Sequence, residues 1–453
     1  MSAEQPARTP AQHPAAGSGR RTEISPSGRS AVLGVMLIAL TGAMLALAGT
    51  TTRGIGAPLH QAARVQLDQR TFVCDAGIPG SRVVRGTIVG GPRPTRRASA
   101  PMVVSVDRDQ ARGAFAAEQA TAKSWDAWAP CPEAHAHWWF VGAGGAAVTH
   151  DTELTITNPR AGAAVYDIDV FGPAGPVQAP GLHGRTIPGG TTQRLDLGAV
   201  APTVGELAVR VNASRGLVAV SAADTFSPGA VGKQVKEWLP ATNLPAKVVT
   251  LTGLPPRPTG ATLLVANPGQ IETVVQVQVI GPGGTFMPQA VLPVTVAPQS
   301  VQTVALSSVF NGSPVAIRVV GTGPVSATIR ASRNFDIAFA AGVRPIRGAT
   351  AVAVPPGNAR QLVLSSIGAA GSVTLTGYDA GARRVLEQTV AVPARTSVAV
   401  RLGTRVSYLR LASYSGSVIG GISTDAPGNH GVVTVGVSPS IRSIRLPGVV
   451  PGW

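Results

Sequence analysis

Val274–Gly284 reads VVQVQVIGPGG. Valine alternates with glutamine, so one side of the segment is apolar and the other polar, the period-two pattern of a half-buried β-strand. Gly281-Pro282-Gly283-Gly284 then supplies turn residues, which makes the segment a strand running into a hairpin turn. The same arrangement occurs upstream. Val165–Phe171 (VYDIDVF) places Asp167 and Asp169 on the polar side and is followed by Gly172-Pro173-Ala174-Gly175.

Around these two stretches the chain repeats itself, with an offset of 109 residues at the Asn-Pro and Gly-Pro-x-Gly sites that shortens slightly farther along. Leu154–Pro159 (LTITNP) matches Leu263–Pro268 (LLVANP). Gln193–Leu197 matches Gln302–Leu306, and Leu207–Val211 matches Val315–Val319. The copies close with Gly216–Val220 and Gly323–Ala327. A third, eroded copy contains Gln361–Ser365, Ser372–Thr376, Pro393–Leu402 and Tyr408–Leu411, without Asn-Pro or Gly-Pro-x-Gly. Repeats of this length are supersecondary units or small domains. Sheets with one wet face are antiparallel and pack in pairs. About seven short strands per ~100 residues predict an immunoglobulin-like sandwich. The expected fold is therefore all-β: tandem immunoglobulin-like β-sandwich domains at 132–240, 241–345 and 346–453, after one N-terminal transmembrane helix.

That helix is read from Ala31–Gly49, nineteen residues without a charge, close to the ~20 needed to span a bilayer. Arg8, Arg20, Arg21 and Arg29 precede it in a polar 1–30 tail that is expected to be disordered and cytoplasmic, leaving the bulk of the chain outside. A cleaved signal peptide ending near Ala46-Leu47-Ala48 is the alternative, and it also exports the chain. Residues 50–131 are expected to be a stalk and a small elaboration bracketed by Cys74 and Cys131. Strands are expected near 82–89 and 102–106, and a short helix over 111–124. In an oxidising compartment the two cysteines pair as a disulfide.

The chain of 453 residues carries a formal charge of +16, with 54 Gly, 38 Pro and only 13% charged residues. Such a charge attracts anionic lipid and wall polymers. The arginines are dispersed, and no nucleic-acid recognition module is present. The chain resembles an uncharacterised family of actinobacterial envelope proteins. The likeness rests on Trp138-Trp139-Phe140, the Asn-Pro and Gly-Pro-x-Gly sites and the leader. It implies a single N-terminal membrane segment and an extracytoplasmic part, and no established activity.

Four tryptophans, Trp125, Trp128, Trp138 and Trp139, fall close together. Exposed, they would stack on sugar rings; burial in a core against the disulfide is the favoured reading. Glu133, His135 and His137 alternate, and with His150 or Asp151 they could ligate zinc; a solvated strand edge is favoured. Asp107 and Asp109 could form a carboxylate pair, but spacing alone does not place them across a cleft. Asp224, Asp336 and Asp425 recur near the copy ends and read as turn residues. Arg210, Arg318 and Arg410 occupy the same strand position in all three copies, a candidate anion-binding row against ordinary solvent-facing arginine. No Gly-x-Ser-x-Gly or phosphate-cradling loop occurs. No catalytic, metal or cofactor site is expected. The expected role is a non-enzymatic scaffold or accessory subunit of the cell envelope, with a membrane glycosyltransferase or another envelope protein as partner. A binding module for anionic or sugar wall polymer is the alternative, and a zinc hydrolase the third reading.

Overall fold

The computed structural model describes residues 64–445, apart from short gaps at 67–68, 88–90, 108–109, 111–112, 147–148, 228–233, 334, 426–430 and 440–442. The tail, the apolar stretch Ala31–Gly49 and Asp109 lie outside the described residues. Among the described residues no helix is long and apolar enough to cross a membrane.

The unit Gln66–Ile444 is almost wholly antiparallel sheet. In the first copy, Thr192–Asp196, His150–Thr157, Ala219–Phe226 and Val235–Leu239 form one sheet in that order. Gly175–Val177, Ala164–Gly172, Leu207–Arg215 and His137–Ala143 form the other. Leu154, Ile156, Ile168, Val209 and Val211 fill the space between them. Along Ala164–Gly172 burial alternates as the Asp-x-Asp pattern requires. The second copy repeats this with Thr273–Gly281 and Gly260–Asn267, but its two sheets share one 18-residue strand, Ala316–Arg333. The third copy pairs a sheet centred on Gly371–Tyr378 and Tyr408–Ser415 with one centred on Asn358–Ser366 and Val418–Asp425.

The repeat holds at the level of single bonds. The Asn158 amide donates to Gly162 O (2.8 Å) and Ile187 O (3.2 Å) and accepts from Arg160 N (3.0 Å). Asn267 donates to Ile271 O (2.7 Å) and Val296 O (3.1 Å) and accepts from Gly269 N (2.9 Å). A buried asparagine thus ties a loop carbonyl to the carbonyl at the end of a short strand, Ile187 in one copy and Val296 in the other, and this is why Asn-Pro recurs. In the eroded copy Ser366 bonds Ala369 O (2.7 Å) instead. Gly172 faces Gly175, and Gly281 faces Gly284, across two-residue hairpins.

Two expectations are corrected. Ala114–Thr121 is a strand, not part of a helix. Its AFAAEQAT sequence is helix-prone by propensity, but pairing with Arg82–Thr87 on one side and Asp126–Pro130 on the other overrides that. The region before the first sandwich is also more than an elaboration. Gly91–Arg97, Arg82–Thr87, Ala114–Thr121 and Asp126–Pro130 make a four-stranded sheet, and Gln69–Cys74 pairs with Met102–Asp107. Cys74 and Cys131 are disulfide-bonded. They share a small core with Phe72, Val83, Ala98, Val104, Ala114 and Ala116.

The outward faces are not all wet. The outward position in Asp167-x-Asp169-x-Phe171 turns aromatic where the first sandwich meets the second. Phe171, Trp139, Val141 and Ala208 pack there on Leu264, Ala266 and Val301. Ile280, Ala316 and Val343 of the second copy meet Ile419 of the third. Beside that contact the Gly253 and Gly421 backbones approach so closely that a Cβ on Gly421 would lie 2.6 Å from Gly253 Cα. Ion pairs Arg330–Glu206 (2.8 Å) and Arg333–Asp425 (2.8 Å) bridge the same two junctions.

Candidate functional site: a buried carboxylate junction

The last strand of each copy turns toward the others. Val235–Leu239 packs against Asp336–Ala341, which packs against Val432–Val437, and Asp126–Pro130 of the N-terminal sheet touches the first and the third. Each of these strands is an edge of its own sheet, so its backbone groups and side chains need partners from outside that sheet.

Carboxylates supply them. Asp336 is fully buried. It accepts Ile337 N–H (2.9 Å) from its own strand, Asp126 N–H (3.2 Å) from the N-terminal unit and Val432 N–H (3.2 Å) from the third sandwich. Gly431 is required beside it, because a Cβ there would stand 2.0 Å from the Asp336 carboxylate oxygen. Glu237 of the first sandwich accepts Trp128 N–H (3.1 Å) and Trp238 N–H (2.8 Å). A second group lies between the N-terminal sheet and the first sandwich. Glu118 accepts Asp75 N–H (3.0 Å) and Ala76 N–H (2.8 Å). Asp75 accepts Gly77 N–H (2.9 Å), the Trp238 indole N–H (3.3 Å) and the Ser221 hydroxyl.

Burial penalises these negative charges. It drives Asp336 up to about 8 against the pull of its three N–H donors. It raises Glu237 well above the ordinary carboxylate range, with nearby Asp336 adding to the effect. Glu118 is raised by burial and then by Asp75. At neutral pH Asp336, at about 8, therefore retains a proton that an exposed aspartate would have released. Chemically it joins units: each carboxylate terminates N–H groups of a neighbouring segment that would otherwise be buried without partners.

The sequence-predicted residues fall elsewhere. Trp138 is in the first core, its indole donating to Val218 O (2.9 Å). Trp139 lies in the contact between the first two sandwiches, stacked on Phe171. Trp128 enters the core of the third sandwich beside Phe115. Trp125 is partly buried against the first core. They form no exposed platform, and none belongs to the disulfide's core. Glu133 pairs with Arg70 (2.5 Å), His135 packs on Trp138, and His137 bonds Asn212 (2.5 Å). His150 is separate, bonded to Asp224 (3.1 Å). Burial alone would lower its imidazole, but Asp224 and Glu206 outweigh that and hold it above its ordinary value. Asp151 accepts Gly198 N–H (3.1 Å). Among the described residues no three His, Cys, Asp or Glu side chains form a metal-binding group. Asp107 is exposed at a strand end.

Asp224, Asp336 and Asp425 are strand residues, not turn residues, and the first two are fully buried. Their flanks resemble turns because each lies near the end of a strand. The arginines do occupy equivalent positions. Arg210 faces Asp169 and Trp139, Arg318 faces Gln278 and Thr250, and Arg410 faces Thr376 and Ala351. Arg210 is engaged by Asp169 (2.7 Å) and Arg318 by Gln278 (2.5 Å), so at least two of the row are spent within their own sheets. The sequence signal that marks the junction is the near-continuous apolar run of the closing strands, DIAFAA and VVTVGV, buried on both faces.

No curated protein matches the chain. Among solved structures it is similar to the full-length structure of RrgB pilus protein from Streptococcus pneumoniae. The match has 9% identity and a TM-score of 0.14, over 66% of this chain and 61% of that one, less than two thirds of its length. A family model described as a family of unknown function (DUF5719) matches residues 90–403, more than half of the chain, and the protein belongs to that family.

Proposed function

We propose that the chain is a non-enzymatic, membrane-anchored extracytoplasmic scaffold or accessory protein of the cell envelope, its immunoglobulin-like sandwiches carried after one transmembrane helix at Ala31–Gly49. The observation that carries this reading is the four-way junction. Buried carboxylates and tryptophans are devoted to holding three sandwiches and an N-terminal unit against one another. These buried groups are thus spent on joining units. The Cys74–Cys131 disulfide supports an oxidising compartment. The partner class is a membrane glycosyltransferase or another envelope protein. Cross-linking and affinity purification of the tagged chain from its native membranes tests this. One stoichiometric membrane protein is the expected result; wall polymer recovered with no protein partner overturns it.

A second reading, a binding module for an anionic wall polymer, is favoured by one specific feature. Arg82 faces Arg97, and Val83 faces Arg96, on the ribbon Arg82–Thr87/Gly91–Arg97. Arg82, Arg96 and Arg97 are all exposed. Like charges set directly opposite destabilise a strand pair unless an anion lies between them. The other neighbour of Arg82 is the uncharged Gln119. On this reading the purified protein is retained on isolated wall material at low salt and released as salt screens the contact. Changing Arg82, Arg96 and Arg97 together to Gln weakens retention, and the same change at Arg210, Arg318 and Arg410 does not. Equal effects from the two triple variants would reduce the ribbon to part of the general positive charge.

A further inference from the structure

The second copy departs from the first along one edge. At the 109-residue offset, the exposed Gly162, Gln178 and His183 of the first copy become Ile271, Met287 and Leu292, and Val177 becomes Phe286. The backbone plan is unchanged. Gly175–Val177 and Arg185–Ile187 pair with Ala164–Gly172, and Gly284–Phe286 and Val294–Val296 pair in the same way with Thr273–Gly281. Leu182 and Val291, also equivalent, each pack on their own core. The new apolar residues do not. Ile271 is 75% exposed, Leu292 74%, Met287 57% and Phe286 53%. Single exposed apolar side chains are ordinary, but these four border one strand.

Charge is withdrawn from the same region. From Thr273 to Ile317 there is no Asp, Glu, Lys, Arg or His, whereas the first-copy counterpart carries Asp167, Asp169, Arg185, Arg194, Asp196 and Glu206. In the third copy the hairpin turn is charged, with Asp379 paired to Arg383 (3.0 Å). Two charges stand at the margins of the uncharged edge. Glu272 is next to Ile271 in sequence. Arg395 is exposed, and its carbonyl accepts the Thr285 hydroxyl (3.2 Å), which sets it beside Phe286.

We propose that these loops dip into the surface of the bilayer that carries the chain, an inference that rests on the membrane anchoring proposed above. The side chains stand out from loops as separate tips. A fluid boundary of headgroups and acyl chains accepts such tips as they are, whereas a protein partner needs a packed, complementary patch. The loop Phe286–Pro293 (FMPQAVLP) has one side chain able to hydrogen-bond, Gln289, so entering the boundary strips water from few polar groups. Arg395 at the margin meets anionic headgroups. Glu272 opposes entry at Ile271, which makes Phe286–Leu292 the deeper end. The chain from Gly49 to Gln66 spans at most about 60 Å when extended, so an anchor at Ala31–Gly49 starts the folded unit within that distance of a bilayer.

The test attaches the environment-sensitive fluorophore NBD to Gln289→Cys in the full chain, whose two native cysteines are bonded to each other. Gln178→Cys on the first copy is the reference, and both positions are exposed. The chain is reconstituted into phosphatidylcholine–phosphatidylglycerol vesicles carrying nitroxide-labelled lipid. Quenching at 289 is expected to exceed that at 178 several-fold and to survive high salt, which would release a contact held by charge alone. The triple variant Ile271→Gly, Met287→Gln, Leu292→His restores the first-copy residues and is expected to lower quenching at 289 to the level at 178. Unchanged near-ultraviolet circular dichroism verifies its folding. Equal quenching at the two sites, or quenching at 289 indifferent to the triple variant, overturns the proposal. A benzophenone at 289 that labels one protein and no lipid in native membranes also overturns it and assigns the tips to that protein. Carbonate extraction reads the anchor separately. Release of the chain from native membranes overturns the anchoring, while a retained chain with equal quenching at the two sites overturns the docking alone.

Discussion

Raising the pH from about 5 to about 9 destabilises the folded protein, and Asp336→Asn removes much of the loss. The sign follows from the buried junction. Asp336 is raised from 3.8 to about 8 in the folded chain, and Glu237 and Glu118 are raised in the same direction. A carboxyl group whose folded value lies above its unfolded value stays protonated in the native state over a range where the unfolded chain releases the proton. Its contribution is therefore fully present below the unfolded value and is lost as pH climbs toward the folded one. For Asp336 that window runs from 3.8 to about 8, and the loss is a few kcal/mol on the usual conversion of about 1.4 per pH unit, discounted for relaxation around the charge. His150 acts in the same direction over its own range, because its raised imidazole is stabilised by Asp224 only while protonated. Urea midpoints measured across this range check the expectation. In Asp336→Asn the amide keeps an acceptor for Asp126 and Val432 but turns a donor toward Ile337 N–H, so the variant is less stable at low pH while its pH slope is shallower. A slope equal to the parent's would remove Asp336 from this role.

Removing the disulfide has the second large effect. Cys74 and Cys131 close a loop with a sequence separation of 57, worth about 4 kcal/mol in the chain-entropy model. The loss is concentrated locally because the core around the bond is small and alanine-rich, with Phe72, Val83 and Val104 as its larger members. In the Cys74→Ala, Cys131→Ala double variant the pair Gln69–Cys74/Met102–Asp107 is expected to open first. Hydrogen exchange resolved by segment should show that pair losing protection while Leu154–Ile156 and Leu263–Val265 keep theirs. Uniform loss across the sandwiches would mean that the bond stabilises the whole assembly and not one unit.

The strands, the hairpins and the register between copies are legible in the sequence because period two and Gly-Pro turns act locally. Val275-Gln-Val-Gln-Val279 needs no knowledge of its neighbours to be read as a half-buried strand, and the alternation is observed. Ala114–Thr121 reads wrongly as helix because alanine and glutamate favour helix in isolation, and only its partner strands decide otherwise. The junction is illegible for a related reason. Asp336 sits beside Asn334 and Phe335 and has the local look of a turn; its burial comes from Asp126 and Val432, far away in sequence. Burial of the tryptophans is legible from their size, but the core that takes each of them is not. A sequence shows that Trp128 will be buried without showing that the third sandwich will bury it. The doubly buried closing strands do carry a signal, since DIAFAA has no polar side beyond its first residue.

The placement of Trp128 also governs how the molecule is assembled in time. A chain synthesised from its N-terminus presents Phe115, Ala117 and Trp128 first, and the residues that cover them, Tyr408 and Leu409 among them, come last. Until the final repeat is delivered, the first-made sheet holds an uncovered aromatic face, and the closing strands of the first two repeats lack the third. Completion is therefore an end-loaded event dominated by contacts far apart in sequence, which makes it slow and leaves intermediates open to aggregation. A chain interrupted before its third repeat is consequently a molecule with an adhesive scar, not a shorter version of the same protein.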